Sequence, residues 1–155
     1  MKEITYKLPT FYDDIADNSD RHVHLIMIAT KPDIIKQIPL YKELKKRGHL
    51  VILGHTGQHY DENLSGGMLK EFGVEPDFNL NVRGALHEVV SQIIGRLGHV
   101  IAELKEKGKI VIPYVHGDTT TAMDFYRRRV APAIGGMLGA AEGLVVRAWG
   151  LAIVG

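Results

Sequence analysis

The sequence predicts an α/β fold built on a doubly wound parallel sheet, and three observations carry that prediction. Short, nearly continuous apolar runs recur at residues 23–29 (VHLIMIA), 50–54 (LVILG) and 110–115 (IVIPYV), as expected of strands buried on both faces. Apolar residues at helical spacing fill the intervals between them, and such alternation is the pattern of strands joined by crossover helices. Each run ends in a polar loop, beginning at Thr30, His55 and His116. Ligands of open α/β sheets bind beyond the carboxyl ends of the strands, so the three loops are expected on one rim.

Taken in order, residues 1–22 are polar and carry Asp13, Asp14, Asp17 and Asp20. With no apolar core region they do not make a signal peptide, and they read as a disordered or loosely docked extension ahead of the fold. After the first strand, Pro32 suits the opening turn of a helix. Ile34, Ile35, Ile38, Tyr41 and Leu44 continue that helix, Pro39 is expected to kink it, and Gly48 is a plausible stop after Lys45, Lys46 and Arg47. Beyond the second strand, residues 66–72 form a weak short helix closed by Gly73, and residues 76–82 are extended, with Phe78, Leu80 and Val82 alternating. The strongest periodicity follows. Leu86, Val89, Val90, Ile93, Ile94, Leu97, Val100, Ile101 and Leu104 make one apolar stripe, and Gly95 and Gly98 within it suggest close packing against a neighbour.

Bulk properties exclude several classes. A length of 155 residues suits one domain. A net charge of +1 gives no electrostatic case for nucleic acid. The absence of cysteine removes disulfide and thiolate chemistry and fits a cytoplasmic location. No G-x-G-x-x-G or P-loop pattern occurs, which speaks against nicotinamide and ATP. No metal-ligand spacing stands out, so neither a metal nor another cofactor is expected.

Composition changes near Met123. All eleven lysines lie at or before Lys109, whereas residues 124–155 carry four arginines and many glycines and alanines. The apolar run after Arg129 is interrupted by Glu142 and Arg147 and is not expected to span a membrane. Residues 124–155 read as a divergent end of the domain or as sequence in a shifted frame; residues 23–123 read as the domain proper.

Each loop admits two readings. The segment from Thr30 to Asp33 opens a helix whose N-terminus can hold an anion with Lys31 and Lys36 nearby, or is simply capped with solvated lysines. Gln58 and His59 follow Gly57 and can bond a hydroxyl or pyrophosphate, or close a satisfied polar loop. Asp118, after His116 and Gly117, suits acid/base chemistry or caps a helix.

Four motifs together resemble the non-hydrolysing UDP-N-acetylglucosamine 2-epimerases. Residues 29–40 (ATKPDIIKQIPL) are similar to the family's G-T-R-P-E followed by A-I-K-M-A-P-L, internal proline included; residues 56–59 match T-G-Q-H; residues 72–80 are similar to F-G-I-x-P-D-x-x-L; residues 116–121 match H-G-D-T-T-T. The resemblance covers residues 23–123. It implies the front part of the N-terminal Rossmann-like domain of a two-domain GT-B-like fold, with substrate between the domains. It further implies inversion at C2 of UDP-GlcNAc to UDP-ManNAc, by anti elimination of UDP and re-addition, in the service of cell-envelope polysaccharides.

By matching position, the resemblance makes Asp118 a catalytic acid, sets Lys31 and Lys36 at the substrate phosphates, and assigns Gln58 and His59 to a second, regulatory UDP-GlcNAc. Lys31 stands where the motif has arginine and lacks its bidentate grip; Asp33 stands for a glutamate. After Met123 nothing matches the family's H-V-E-A-G-L-R, and Glu142 is not assigned to it. The expectation is therefore a truncated epimerase-like protein, inactive alone. The alternatives are one half of a split GT-B-type enzyme working with a separate C-terminal half, or a non-catalytic UDP-sugar-binding module. A homodimer through helices of this domain is also implied.

Overall fold

A computed structural model describes residues 3–57 and 66–116. The apolar runs fold as strands: β2 (His22–Ile28), β3 (Val51–His55) and β5 (Ile110–Tyr114). Two short strands, β1 (Thr5–Tyr6) and β4 (Phe78–Asn79), complete a five-stranded sheet of order β1-β4-β3-β2-β5. Every pairing is parallel except that of β1 with β4. Helices α1 (Phe11–Asp17), α2 (Lys31–Lys46), α3 (Gly67–Glu71) and α4 (Leu86–Glu106) connect the strands. The α/β, doubly wound expectation holds.

Strand alternation divides the core in two. Val23, Leu25 and Met27 of β2 join Ile52 and the α4 residues Val89, Ile93, Leu97, Val100 and Leu104 on one face. Ile26 and Ile28 join Val51, Leu53 and the α2 residues Ile34, Ile38 and Tyr41 on the other. A strand covered on both faces is apolar at both parities, which is why the alternation is invisible in the sequence of β2. The α2 helix continues through Pro39 to Lys46.

Three expectations need correction. The N-terminal residues are not a loose extension. Tyr6 pairs with Phe78, Phe11 and Ile15 are buried, and Tyr6, Phe11, Tyr12 and Phe78 form an aromatic cluster. Aspartates 13, 14 and 17 occupy the exposed side of α1, so the acidic composition concealed an amphipathic turn. Lys109 secures the join: its ammonium, on a side chain buried by the fold, donates to the carbonyls of Asn18 (2.7 Å) and Asp20 (2.6 Å). Gly95 is not a close-packing point, because a Cβ there would meet nothing within 4 Å. Leu86, first in the α4 stripe, is 67% exposed.

The topology locates the rim that matters. From β2 the chain moves to β3 and then β4 on one side, and β5 returns to the other side of β2. The direction of winding reverses between β2 and β5, and in open α/β sheets that reversal opens the ligand crevice.

Candidate functional site

The crevice begins where pairing stops. The last β2–β5 pair is Ile26 with Tyr114, while β2 runs on to Ile28. Gln37, 5% exposed, spans the gap from α2: its Nε2 donates to the carbonyls of Met27 (2.8 Å) and Tyr114 (3.2 Å). One amide nitrogen thus ties the carboxyl ends of the two diverging strands.

Above it sits the start of α2. Asp33, 3% exposed, accepts hydrogen bonds at Oδ2 from the backbone N–H groups of Ala29 (3.1 Å) and Thr30 (3.0 Å). A carboxylate in the first helical turn also opposes the positive end of the helix dipole. Its other oxygen lies 3.4 Å from Nδ1 of His116, just beyond β5. The shorter side chain that stands for the motif's glutamate therefore serves the helix start itself. Part of the anion-holding capacity of this N-terminus is taken up by the chain's own carboxylate, and Pro32 contributes no N–H.

The β3 end lies beside them. His55 pairs with Ile28 and Asn79, and Thr56 N–H donates to the Ile28 carbonyl at 3.0 Å. His55 and Thr56 are both fully buried. Gly57 N–H donates to His55 Nδ1 at 2.7 Å, so the neutral ring carries its proton on Nε2. Gly57 itself is obligatory: its φ is +90°, and a Cβ would stand 2.9 Å from Asn81 Cα and 2.7 Å from Asn79 Oδ1.

The three loop starts expected on one rim are thus found on it. Lys31 and Lys36 lie exposed on the first two turns of α2 and make no hydrogen bond or ion pair among the described residues. Gln58, His59 and Asp118 lie outside the described residues. Sequence reasoning missed Gln37 and the Asp33–His116 contact. The available signal was a glutamine three residues after Ile34 and one before Ile38, a polar residue at a core position of the helix. Among the described residues no three His, Asp or Glu side chains are grouped to hold a metal, and no helix is long and apolar enough to cross a membrane.

Comparison with known proteins gives this rim a family. The family model for UDP-N-acetylglucosamine 2-epimerase matches residues 42–125. The UDP-N-acetylglucosamine 2-epimerases of Methanococcus maripaludis and Bacillus subtilis are each 35% identical, over 100 and 101 residues, or 63% of this chain. The UDP-2,3-diacetamido-2,3-dideoxy-D-glucuronate 2-epimerase of Pseudomonas aeruginosa is 34% identical over 103 residues, 64% of the chain. The chain spans about a quarter of the length of these relatives: 26%, 25% and 28%. Among solved structures, the Methanocaldococcus jannaschii UDP-GlcNAc 2-epimerase in complex with UDP-GlcNAc and UDP aligns over 71% of this chain and 30% of its own, with a TM-score of 0.57 and 29% identity. The model match takes in more than half of the sequence, including β3, β5 and the loop starts at His55 and His116. The chain belongs to the UDP-N-acetylglucosamine 2-epimerase family.

Proposed function

We propose that this chain supplies the N-terminal, phosphate-side part of a UDP-sugar 2-epimerase site, and that alone it holds a UDP-sugar without turning it over. The observation that carries the reading is the convergence of Thr30, Asp33, Gln37, Thr56 and His116 at the β2/β5 reversal, in a chain whose family relative was solved with UDP-GlcNAc and UDP. Exposed Lys31 and Lys36 on α2 are suited to the pyrophosphate. Asp118, two residues beyond His116, is the proposed acid, and Gln58 and His59 the proposed contacts of a second UDP-GlcNAc.

Elimination of UDP from C1 with loss of the C2 proton, across C1–C2, needs groups placed on both sides of the sugar. The family's H-V-E-A-G-L-R carboxylate has no counterpart in this sequence, and the family match ends at residue 125. Loss of several members of a catalytic constellation removes nearly all rate. A second domain in GT-B-like arrangement, on a separate chain or in a longer product, would complete the site.

The sugar is the open variable. One relative acts on UDP-2,3-diacetamido-2,3-dideoxy-D-glucuronate, and it is as similar over this segment as the UDP-GlcNAc enzymes. The shared feature is a UDP-linked 2-acetamido sugar, so the second reading differs only in the substituents at C3 and C6. Calorimetric titration with UDP, UDP-GlcNAc and the diacetamido glucuronate tests this. Binding of all three with similar affinity, weakened roughly tenfold in Lys31→Ala or Lys36→Ala and without epimer in the product by NMR, is the expected result. No heat with any of them, or affinity unchanged in both variants, would overturn it.

A further inference from the structure

The chain leaving β3 is held from two sides. On the β2 side, Thr56 N–H donates to the Ile28 carbonyl. On the other side runs the segment that joins β4 to α4. Leu80 N–H donates to the His55 carbonyl (2.9 Å) and Val82 N–H to that of Thr56 (3.0 Å). Asn81 lies so close to Gly57 that a Cβ on the glycine would stand 2.9 Å from Asn81 Cα. Residues 80–83 therefore form a further wall of the rim, beside the three loop starts.

That wall does not hold its own shape. Asn81 has a φ of +52°, a left-handed conformation that a residue other than glycine keeps only where its surroundings impose it. Asn79 Oδ1 accepts from Asn81 N–H (2.8 Å), and Asn81 Nδ2 donates to Thr5 Oγ1 of β1 (2.9 Å). The remaining bonds come from α4. Arg96 Nη1 donates to the carbonyls of Leu80 (2.7 Å) and Asn81 (3.0 Å). One turn earlier, Gln92 closes on Arg83 with both ends of its amide: Oε1 accepts from the backbone N–H (3.0 Å) and Nε2 donates to the carbonyl (2.7 Å). These side chains stand beside the buried Ile93 and Leu97, on the half-buried flank of the helix.

We propose that Gln92 and Arg96 are positioning residues: by fixing the backbone of residues 80–83 they hold Gly57 and the end of β3 in the shape that receives a ligand. The consequence for binding rests on the reading of the rim as a UDP-sugar site; the clamp on Gly57 does not. A wall formed in advance spares the ligand the cost of ordering it.

The test is amide hydrogen exchange and chemical shifts of the full chain. Arg96→Met keeps the aliphatic stem and removes the donor. It should speed exchange at Leu80 and Val82 about tenfold, the size of one lost charge-assisted contact, more than at Leu97 and Val100, and shift the amides of Thr56 and Gly57. Arg96→Lys, which can still donate to both carbonyls, should restore them. Gln92→Ala should move the amides of Arg83 and Gly57, and it decides alone should Arg96→Met not fold. Thr56 and Gly57 unmoved in both variants, or equal acceleration at all four amides, would overturn the proposal. In parallel, UDP-GlcNAc should bind Arg96→Met roughly tenfold more weakly and Arg96→Lys like the wild type. If the wild type binds no UDP-GlcNAc, the functional reading fails and the exchange pattern still decides the clamp. If it binds and Arg96→Met moves Gly57 without changing affinity, the clamp stands and its role in binding falls.

Discussion

Against one face of the sheet, α4 packs Val89, Ile93, Leu97, Val100 and Leu104, all apolar and at most 3% exposed. Against the other, α2 packs Ile34, Ile38 and Tyr41 but also buries Asp33 and Gln37. Burying apolar surface is the dominant favourable term in folding, whereas a buried polar group repays its desolvation only when hydrogen-bonded. Both polar groups of α2 are bonded, and both bond to backbone at the carboxyl ends of β2 and β5 or to the residue beyond. The α4 face makes the domain stable; the α2 face gives up some apolar contact to define the geometry of the rim.

That division can be broken by mutation. Leu97→Ala, at a fully buried α4 position, should cost about 2–5 kcal/mol in urea unfolding and leave UDP-GlcNAc affinity per folded molecule unchanged. Altered affinity would mean the two faces are coupled. Gly57→Ala, on the rim, should cost about 1–3 kcal/mol through its positive φ and the collision with Asn81, and should perturb ligand binding as well. Gln37→Met removes two hydrogen bonds with little change in volume. It should cost about 1–3 kcal/mol by thermal melting, and shift the amide resonances of His116 and its neighbours. A resonance change limited to α2 would contradict the bridging role.

The smallest effect belongs to pH. Burial first, then the charges of His49 and His22, hold the His24 imidazole below its usual range, against a weaker opposing pull from Asp20. A lowered folded pKa means that the unfolded chain binds the proton more readily. The contribution of His24 is therefore full above the ordinary histidine pKa of about 6.5 and is lost as pH falls below it. Melting temperature should fall modestly from pH 7.5 to pH 5.5, and His24→Phe should flatten that slope; an equal slope in the variant would assign the effect elsewhere.

The elements legible in the sequence were those whose signal is periodic. The strands at residues 23–29, 50–54 and 110–115 and the stripe from Val89 to Leu104 read directly from apolar spacing. The N-terminal β1 and α1 were illegible because two strand residues and seven helical residues leave too short a pattern among the aspartates. In the site, the loops were legible because chain alternation puts strand ends on one edge. The function of Asp33 was not, because whether a carboxylate faces solvent, a ligand or its own helix start is decided by three-dimensional packing. Gln37 was hidden for the same reason: its partners, Met27 and Tyr114, lie 10 and 77 residues away.

The most direct test of the account is an amide chemical-shift map of the full chain titrated with UDP-GlcNAc. The predicted result is saturable shifts at residues 29–37, 55–57 and 115–121, the three loop starts around the β2/β5 reversal. Saturable shifts instead along the groove beside Gln92, Arg96 and His99 of α4, or none at all, would contradict the placement of the UDP-sugar site on this rim.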